Sequence, residues 1–342
     1  MTNKRWVQIL TVMLLGVLAG SGRAQDVHFS QNDAIPLFLS PSNAGESCDY
    51  RFFMNHRNQW ASITVPYVTF SAAADKKFEN VQFLGGHDAG AGIIISNDKA
   101  GDGELTNTRI DLLGAYKFDF SNGVMKHLSL GMSVAYARTT IDYSKLYFGS
   151  QFNGNYFDAA LPQGENFETS AFGFVDMAMG LSGVLNVAGY TVETGFSVNH
   201  ITSPKQKFFG NDETKLDARI NYFVSSPVKL NASNEIVPSF YWYQQGKLKE
   251  LDIGGVWTTT VNSMSIRHFF AGGWWRAGDA IILKAGLNYN GVILGFSYDI
   301  NLSKLRVASG GKGGFELSLI YKICKLPTIS KKSLKHYCPE FM

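Results

Sequence analysis

The feature that most constrains this chain is an alternation that begins at Tyr50 and recurs to the end. Leu128, Leu130, Met132, Val134 and Tyr136 fall on one face of an extended chain, and Ser129, Gly131, Ser133 and Ala135 on the other. The same pattern sets Val175, Met177, Met179 and Leu181 against Asp176, Ala178, Gly180 and Ser182. It also sets Ile281, Leu283, Ala285, Leu287 and Tyr289 against Lys284, Gly286 and Asn288. Val292, Leu294, Phe296, Tyr298 and Ile300 repeat it, as do Phe315, Leu317, Leu319, Tyr321 and Ile323. About fourteen such segments occur, each about ten residues or longer, enough to cross lipid at a tilt. A soluble β-sandwich would show the same alternation, but the length and number of segments favour a barrel.

Composition points the same way. Of 342 residues, 35 are Gly, 13% are aromatic and only 17% are charged, against about a quarter charged in soluble domains. A net charge of +3 and the lack of a basic patch interleaved with aromatics argue against nucleic acid. Residues 1–24 read as a cleaved secretory signal: Lys4 and Arg5 lead, Trp6 to Gly20 is apolar, and Gly22-Arg23-Ala24 supplies small residues. The mature chain is expected to start at Gln25. No run of about eighteen apolar residues follows, so a membrane form must be a closed barrel.

Turn lengths alternate. Short connections are expected at Ser121-Asn122-Gly123, Asn186 to Gly189 and Asn290-Gly291, the last a hairpin that requires positive φ at both residues. Longer links are expected from Asn97 to Leu105, Asp142 to Ala171, Thr202 to Thr214 and Ser303 to Gly313. In outer-membrane barrels short turns face the periplasm, so an even strand count places both termini there. Tyr241-Trp242-Tyr243 and Trp274-Trp275 suit aromatic girdles at the two interfaces.

Ahead of the first strand lies a stretch broken by Pro36 and Pro41. Its order is Phe29-Ser30-Gln31, Pro36-Leu37, Ser40-Pro41 and Asn43-Ala44-Gly45, followed in the strand by Asn55 and Arg57-Asn58-Gln59-Trp60. This order resembles the amino-terminal signature of the PorP/SprF family, outer-membrane proteins of the type IX secretion and gliding machinery of Bacteroidota. Further resemblances are Phe148-Gly149-Ser150-Gln151-Phe152, Pro204-Lys205-Gln206, Gly295-Phe296-Ser297-Tyr298-Asp299, Glu316-Leu317-Ser318-Leu319 and the ending Cys338-Pro339-Glu340-Phe341. Family members more often carry a basic residue where Glu340 stands. The resemblance implies a non-enzymatic role in secretion or gliding motility. Its partners would be periplasmic ring or peptidoglycan-binding lipoproteins of the machine, or a large secreted adhesin retained at the surface. The runner-up is a porin-like channel or hydrophobic-solute transporter.

Candidate chemistry is sparse. The seven His residues are scattered, with none paired to Cys or acid at a ligand spacing. The loop Asp98 to Glu104 is acidic and glycine-rich, but it lacks an oxygen ligand at Ala100 and places Arg109 where a calcium loop needs Glu. No cofactor and no metal are expected, and no nucleophile and base are brought together. Asn55, Arg57, Asn58, Gln59 and Trp60 are the most distinctive polar set. They are expected either to hold Phe29, Gln31, Pro36, Asn43 and Gly45 by hydrogen bonds to backbone or to receive a partner peptide. Cys324 and Cys338 are the candidate disulfide, with free or buried thiols the equal alternative. The tail carries Lys325, Lys331, Lys332 and Lys335 and reads either as a solvated end or as a strap for an acidic partner.

The expected plan is all-β: a transmembrane antiparallel β-barrel of about fourteen strands. Signal 1–24, irregular periplasmic or plug segment 25–48, outer-membrane barrel 49–324 and periplasmic tail 325–342 make up its parts.

Overall fold

A computed structural model describes residues 26–324 apart from 64, 122, 166–168, 207–213, 264 and 305. The expected signal, the tail and Cys338 lie outside the described residues. The rest is a closed barrel of fourteen antiparallel strands. They are β1 Tyr50–Gln59, β2 Tyr67–Val81, β3 His87–Ala100, β4 Leu105–Asp119, β5 Met125–Thr140, β6 Ala171–Val187 and β7 Tyr190–Asn199. After them come β8 Arg219–Ser225, which resumes past Pro227 as Val228–Lys229, and β9 Asn234–Gln245, β10 Leu248–Thr260, β11 Ile266–Arg276, β12 Ala280–Tyr289, β13 Val292–Asn301 and β14 Lys312–Ile323. Each strand pairs with its neighbours in sequence, and β1 closes on β14 with Tyr50 opposite Ile323 and Arg57 opposite Glu316.

The alternation sorts the barrel inside out. Along β5, Ser129, Gly131, Ser133, Ala135, Ala137 and Thr139 are buried in the lumen, while Leu130, Met132, Val134 and Tyr136 are exposed, Leu130 by 46%. The other alternating strands do the same: Leu283, Leu294, Phe296 and Leu317 point out, and Ser297, Asp299 and Glu316 point in. Such rows of outward aliphatic side chains belong against hydrocarbon. No helix among the described residues is long and apolar enough to cross a membrane; here strands do so. The two aromatic clusters split between the faces. Tyr241, Tyr243 and Trp274 are buried inside, and Trp275 is exposed, so only part of each cluster is available to a girdle.

The first residue of β1 and the last of β14 share one rim. On it lie two two-residue turns, Ala188-Gly189 and Asn290-Gly291, with φ of 51°, 87°, 50° and 88°. The opposite rim carries the long links 141–170, 200–218 and 302–311. The expected link Asn97 to Leu105 is shorter than its composition suggested. The ladder continues to Ala100 opposite Leu105, and a Lys99–Glu104 pair at 2.7 Å closes the hairpin. Gly246-Lys247 and Ala277–Asp279 are also brief turns on the long-loop rim.

The lumen is occupied by the chain's own start. Residues 26–48 run from the long-loop half, where Asp26 meets His200, to the short-turn rim, where Cys48 is bonded to Cys324. Three brief helical turns, Asn32–Ala34, Pro36–Leu39 and Pro41–Asn43, form this plug. Pro36 and Pro41 each open a turn and lack the N–H needed to continue the previous one. The plug supplies the barrel's apolar core. Ala34, Leu37 and Ala44 pack with Phe53, Ile94, Leu113 and Ile320, and Leu39 packs with Phe223, Tyr241, Trp274 and Ile282.

Cys324 therefore pairs with Cys48, not with Cys338 as its proximity in sequence suggested. The β1–β14 seam explains this. Cys48 and Cys324 flank its first cross-strand pair, with Cα atoms 4.4 Å apart.

Candidate functional site: the plug–wall interface

The barrel wall meets the plug with charge. Three arginines project inward, each opposite a carboxylate on an adjoining strand: Arg51 faces Asp75, Arg57 faces Glu316 and Arg276 faces Asp252. All six side chains are buried, and buried charges persist only when paired and hydrogen-bonded. Here the wall residues pair with one another and the plug completes their hydrogen bonding.

At the seam, Arg57 reaches Glu316 at 3.0 Å and Asp299 at 2.8 Å and also donates to the Ser30 hydroxyl. Glu316 accepts the backbone N–H groups of Ser30 at 2.7 Å and Gln31 at 3.1 Å, and Asn55 Nδ2 at 2.8 Å. The Gln31 amide donates to the Glu316 carbonyl at 3.0 Å and accepts from Ser318 Oγ at 2.7 Å. Arg276 spans Asp252 and Asp299 at 3.3 and 3.2 Å, and Asn32 Nδ2 donates to Asp252 at 3.2 Å. His28 lies 3.9 Å from Glu250. Burial, with the nearby Arg276 and Arg57, pushes its pKa well below the usual imidazole range, so this contact joins a neutral ring to a carboxylate.

Nearer the short-turn rim, Arg51 grips Asp75 at 2.9 Å and donates to the Asn43 carbonyl at 2.6 Å, while Asp75 accepts the Gly45 N–H at 2.6 Å. Ser197 and Asn221 donate to the Leu39 carbonyl at 2.7 and 3.1 Å, and Ser129 donates to that of Ser42 at 2.6 Å. Close approach demands glycine at two wall positions. A Cβ at Gly131 would run into the backbone of Pro41 and Ser42, and one at Gly90 into Ala44.

The leading end is held by a relay. His200 Nε2 contacts Asp26 at 2.5 Å and Nδ1 contacts Asp176 at 2.6 Å. Asp176 also takes Arg109 at 2.7 Å, and Arg109 pairs with Asp111. Arg219 donates to the Val27 carbonyl at 3.0 Å, and Gln245 Oε1 accepts the Asp26 N–H at 2.9 Å. Burial opposes a charge on His200, but the flanking Asp26 and Asp176 outweigh it and lift the pKa from 6.5 to about 9. Asp26 is held well below the usual carboxylate range; burial alone would raise it, and His200 and Arg219 reverse that.

Of the residues singled out in the sequence, Asn55 and Arg57 face the plug. They act largely through Glu316 and Asp299 rather than by donating directly to backbone. Gln59 shares their face, and its amide oxygen accepts from Arg57 at 2.7 Å once oriented to satisfy both ends. Asn58 and Trp60 are not brought to the plug. Asn58 lies on the opposite face of β1, and Trp60 leaves the strand at φ 56°, donates to the Gly313 carbonyl at 2.8 Å and packs edge-on against Tyr67. Phe29 stacks edge-on with Phe38 at 5.2 Å, and Asn43 donates to the Pro36 carbonyl within the plug. Gly45 turns with φ 65° against Gly90 and Lys76. Sequence reasoning missed Arg51, Asp75, Asp252, Arg276 and Glu316 as plug contacts. The available signal was their inward parity: each falls on the polar set of its strand.

Two cavities flank the plug. One, about 330 Å³, lies toward the short-turn rim beside Pro36 and Leu39; the other, about 270 Å³, lies toward the long-loop rim beside Leu37 and Phe38. They share no lining residue. No cluster of three metal-ligating side chains occurs among the described residues.

Comparison with known proteins bears on this architecture. No curated protein matches the sequence. Among solved structures, the Ralstonia pickettii toluene transporter TbuX is similar at 11% identity, covering 90% of this chain and 96% of that one with a TM-score of 0.48. A Pseudomonas aeruginosa FadL homologue is similar at 9% identity, covering 80% and 89% with a TM-score of 0.42. The translocator domain of the autotransporter NalP from Neisseria meningitidis is similar at 10% identity, covering 85% and 93% with a TM-score of 0.40. Likenesses this distant carry no functional argument. The family model described as type IX secretion system membrane protein PorP/SprF matches residues 21–321. The chain, a barrel closed around its own amino-terminal segment, thus belongs to the PorP/SprF family of type IX secretion system membrane proteins.

Proposed function

We propose that this protein is a non-enzymatic outer-membrane platform of the type IX secretion and gliding system. It anchors periplasmic proteins of the machine or retains a secreted adhesin at the cell surface. The observation that carries this reading is the wiring of residues 26–48 into the lumen by hydrogen bonds to the wall's buried ion pairs and by the Cys48–Cys324 bond. A pore-forming barrel needs a passage, whereas here the lumen is occupied by a segment that is bonded to the wall at both ends. In this reading the short-turn rim, where β1 begins and β14 ends, faces the periplasm, as in other outer-membrane barrels. The long links then face outward and offer the surface for an adhesin.

Pull-down from outer membranes in mild detergent, followed by mass spectrometry, tests the proposal. Co-purification of secretion-system lipoproteins makes the protein a subunit of the machine, and a single large adhesin makes it a dedicated anchor. Recovery without either, together with a steady single-channel conductance after reconstitution, would overturn the platform in favour of a channel.

A further inference from the structure

The cavity on the short-turn side combines aromatic walls with carboxylates that have no ion-pair partner among the described residues. Its interior is aromatic, built from Phe223, Tyr241, Phe270 and Trp274 with Leu39; Glu46 and Glu193 stand among its lining residues, and the lining cation Lys284 is taken up by Asp33 at 2.6 Å. Glu235 lies close enough to Glu193 for their charges to interact. None of these three carboxylates forms an ion pair among the described residues. Lys117 lies within the field of Glu46, and Lys322 within the fields of Glu46 and Glu193, but neither bridges to them. An aromatic pocket with acids at its edge suits a segment that is both basic and apolar.

We propose that this cavity is the docking site of the chain's own carboxy-terminal segment, residues 325–342. That segment departs from Cys324, which the bond to Cys48 fixes on the same rim. Its 18 residues reach up to about 60 Å when extended, ample to cross the mouth of the barrel. It carries Lys325, Lys331, Lys332 and Lys335 against a single acid, Glu340, and sets Leu334, Tyr337 and Phe341 among them. Lysines meet the acidic edge while an apolar side chain enters the aromatic interior. Attachment at Cys324 places the segment at a local concentration of about millimolar, so a contact that is weak between separate molecules suffices here. The second cavity does not fit: it lies toward the opposite rim, and its lining acids Asp26 and Asp111 are already paired with His200 and Arg109.

Photo-crosslinking in the full-length protein, inserted in outer membranes, tests the assignment. Benzoylphenylalanine in place of Thr258, and separately of Ser225, puts the probe in the cavity lining at half-buried positions. The expected result is crosslinked peptides that map to residues 325–342 from both positions and not from a probe at Ala137 in the second cavity. Combining Glu193→Gln with Glu235→Gln should lower the yield by about threefold or more. Crosslinks confined to the plug and wall would overturn the proposal. So would capture of a peptide from another protein, which would give the cavity to a partner in trans. The readout is independent of which secretion role the barrel serves.

Discussion

At the residue scale, the inward arginines couple two tasks. Arg57 is 1% exposed and joins the closing strand to the plug through Glu316 and Asp299. Removing one partner of a buried pair leaves the other charge uncompensated, at about 3–5 kcal/mol. Glu316→Gln should therefore loosen the plug by a cost in that range. Hydrogen exchange at Ser30 and Gln31, whose N–H groups Glu316 accepts, would rise; unchanged protection would assign the hold elsewhere. On the outer face, Met132→Arg should cost about 2–4 kcal/mol if it lies near the bilayer midplane. Loss of the heat-resistant folded species on gels reads this out. The Asp26–His200 contact adds a pH dependence. Because the His200 pKa is raised, its contribution is complete below 6.5 and disappears as pH rises through about 9. Asp26, whose pKa is depressed, loses its share only as pH falls below the ordinary carboxylate range. A ring titration by NMR in micelles should show a midpoint near 9 for His200, moving down in Asp26→Asn.

At the element scale, the plug lies outside the strand ladder. Deleting Phe29 to Gly45 should leave an inserted barrel, since the ladder of β1 to β14 does not include those residues, yet it should abolish secretion or partner capture. Normal secretion by the deletion strain would end the platform reading. The strands were legible because parity alone decides which side chain faces lipid, and a one-residue slip would invert every face. Met132 and Leu294 illustrate this: each falls outward in the structure as its parity demands. Parity is silent about partners across the lumen. Arg57 was visible as an inward cation, but Asp299 and Arg276 are joined to it by closure of the sheet, not by spacing. The cysteines failed for the same reason. Cys324 and Cys338 are near in sequence, while Cys48 comes near only when the last strand meets the first. The polar run Asn97 to Ala100 read as loop because its composition is that of a turn; pairing with β4 overrode it.

At the scale of the whole molecule, the lumen inverts the usual barrel interior. Instead of water or a taper of large side chains, it holds a short folded segment whose apolar turns face apolar wall patches and whose backbone is bonded to wall side chains. Membership of the PorP/SprF family and this filled interior are what the proposed platform rests on. One consequence concerns the order of events during biogenesis. The plug is made ahead of every strand, but two of its holds come last. Ser30 and Glu316 are separated by 286 positions, and Cys48 and Cys324 by 276. Contacts so distant along the chain form late, so the segment can be held early by Arg51 and Asp75 but is not locked until β14 arrives beside β1. The carboxylate and the thiol of that final strand would thus act as a check on completeness: a truncated or stalled barrel would leave the amino-terminal segment loose and open to proteolysis, and only a finished one would hide it.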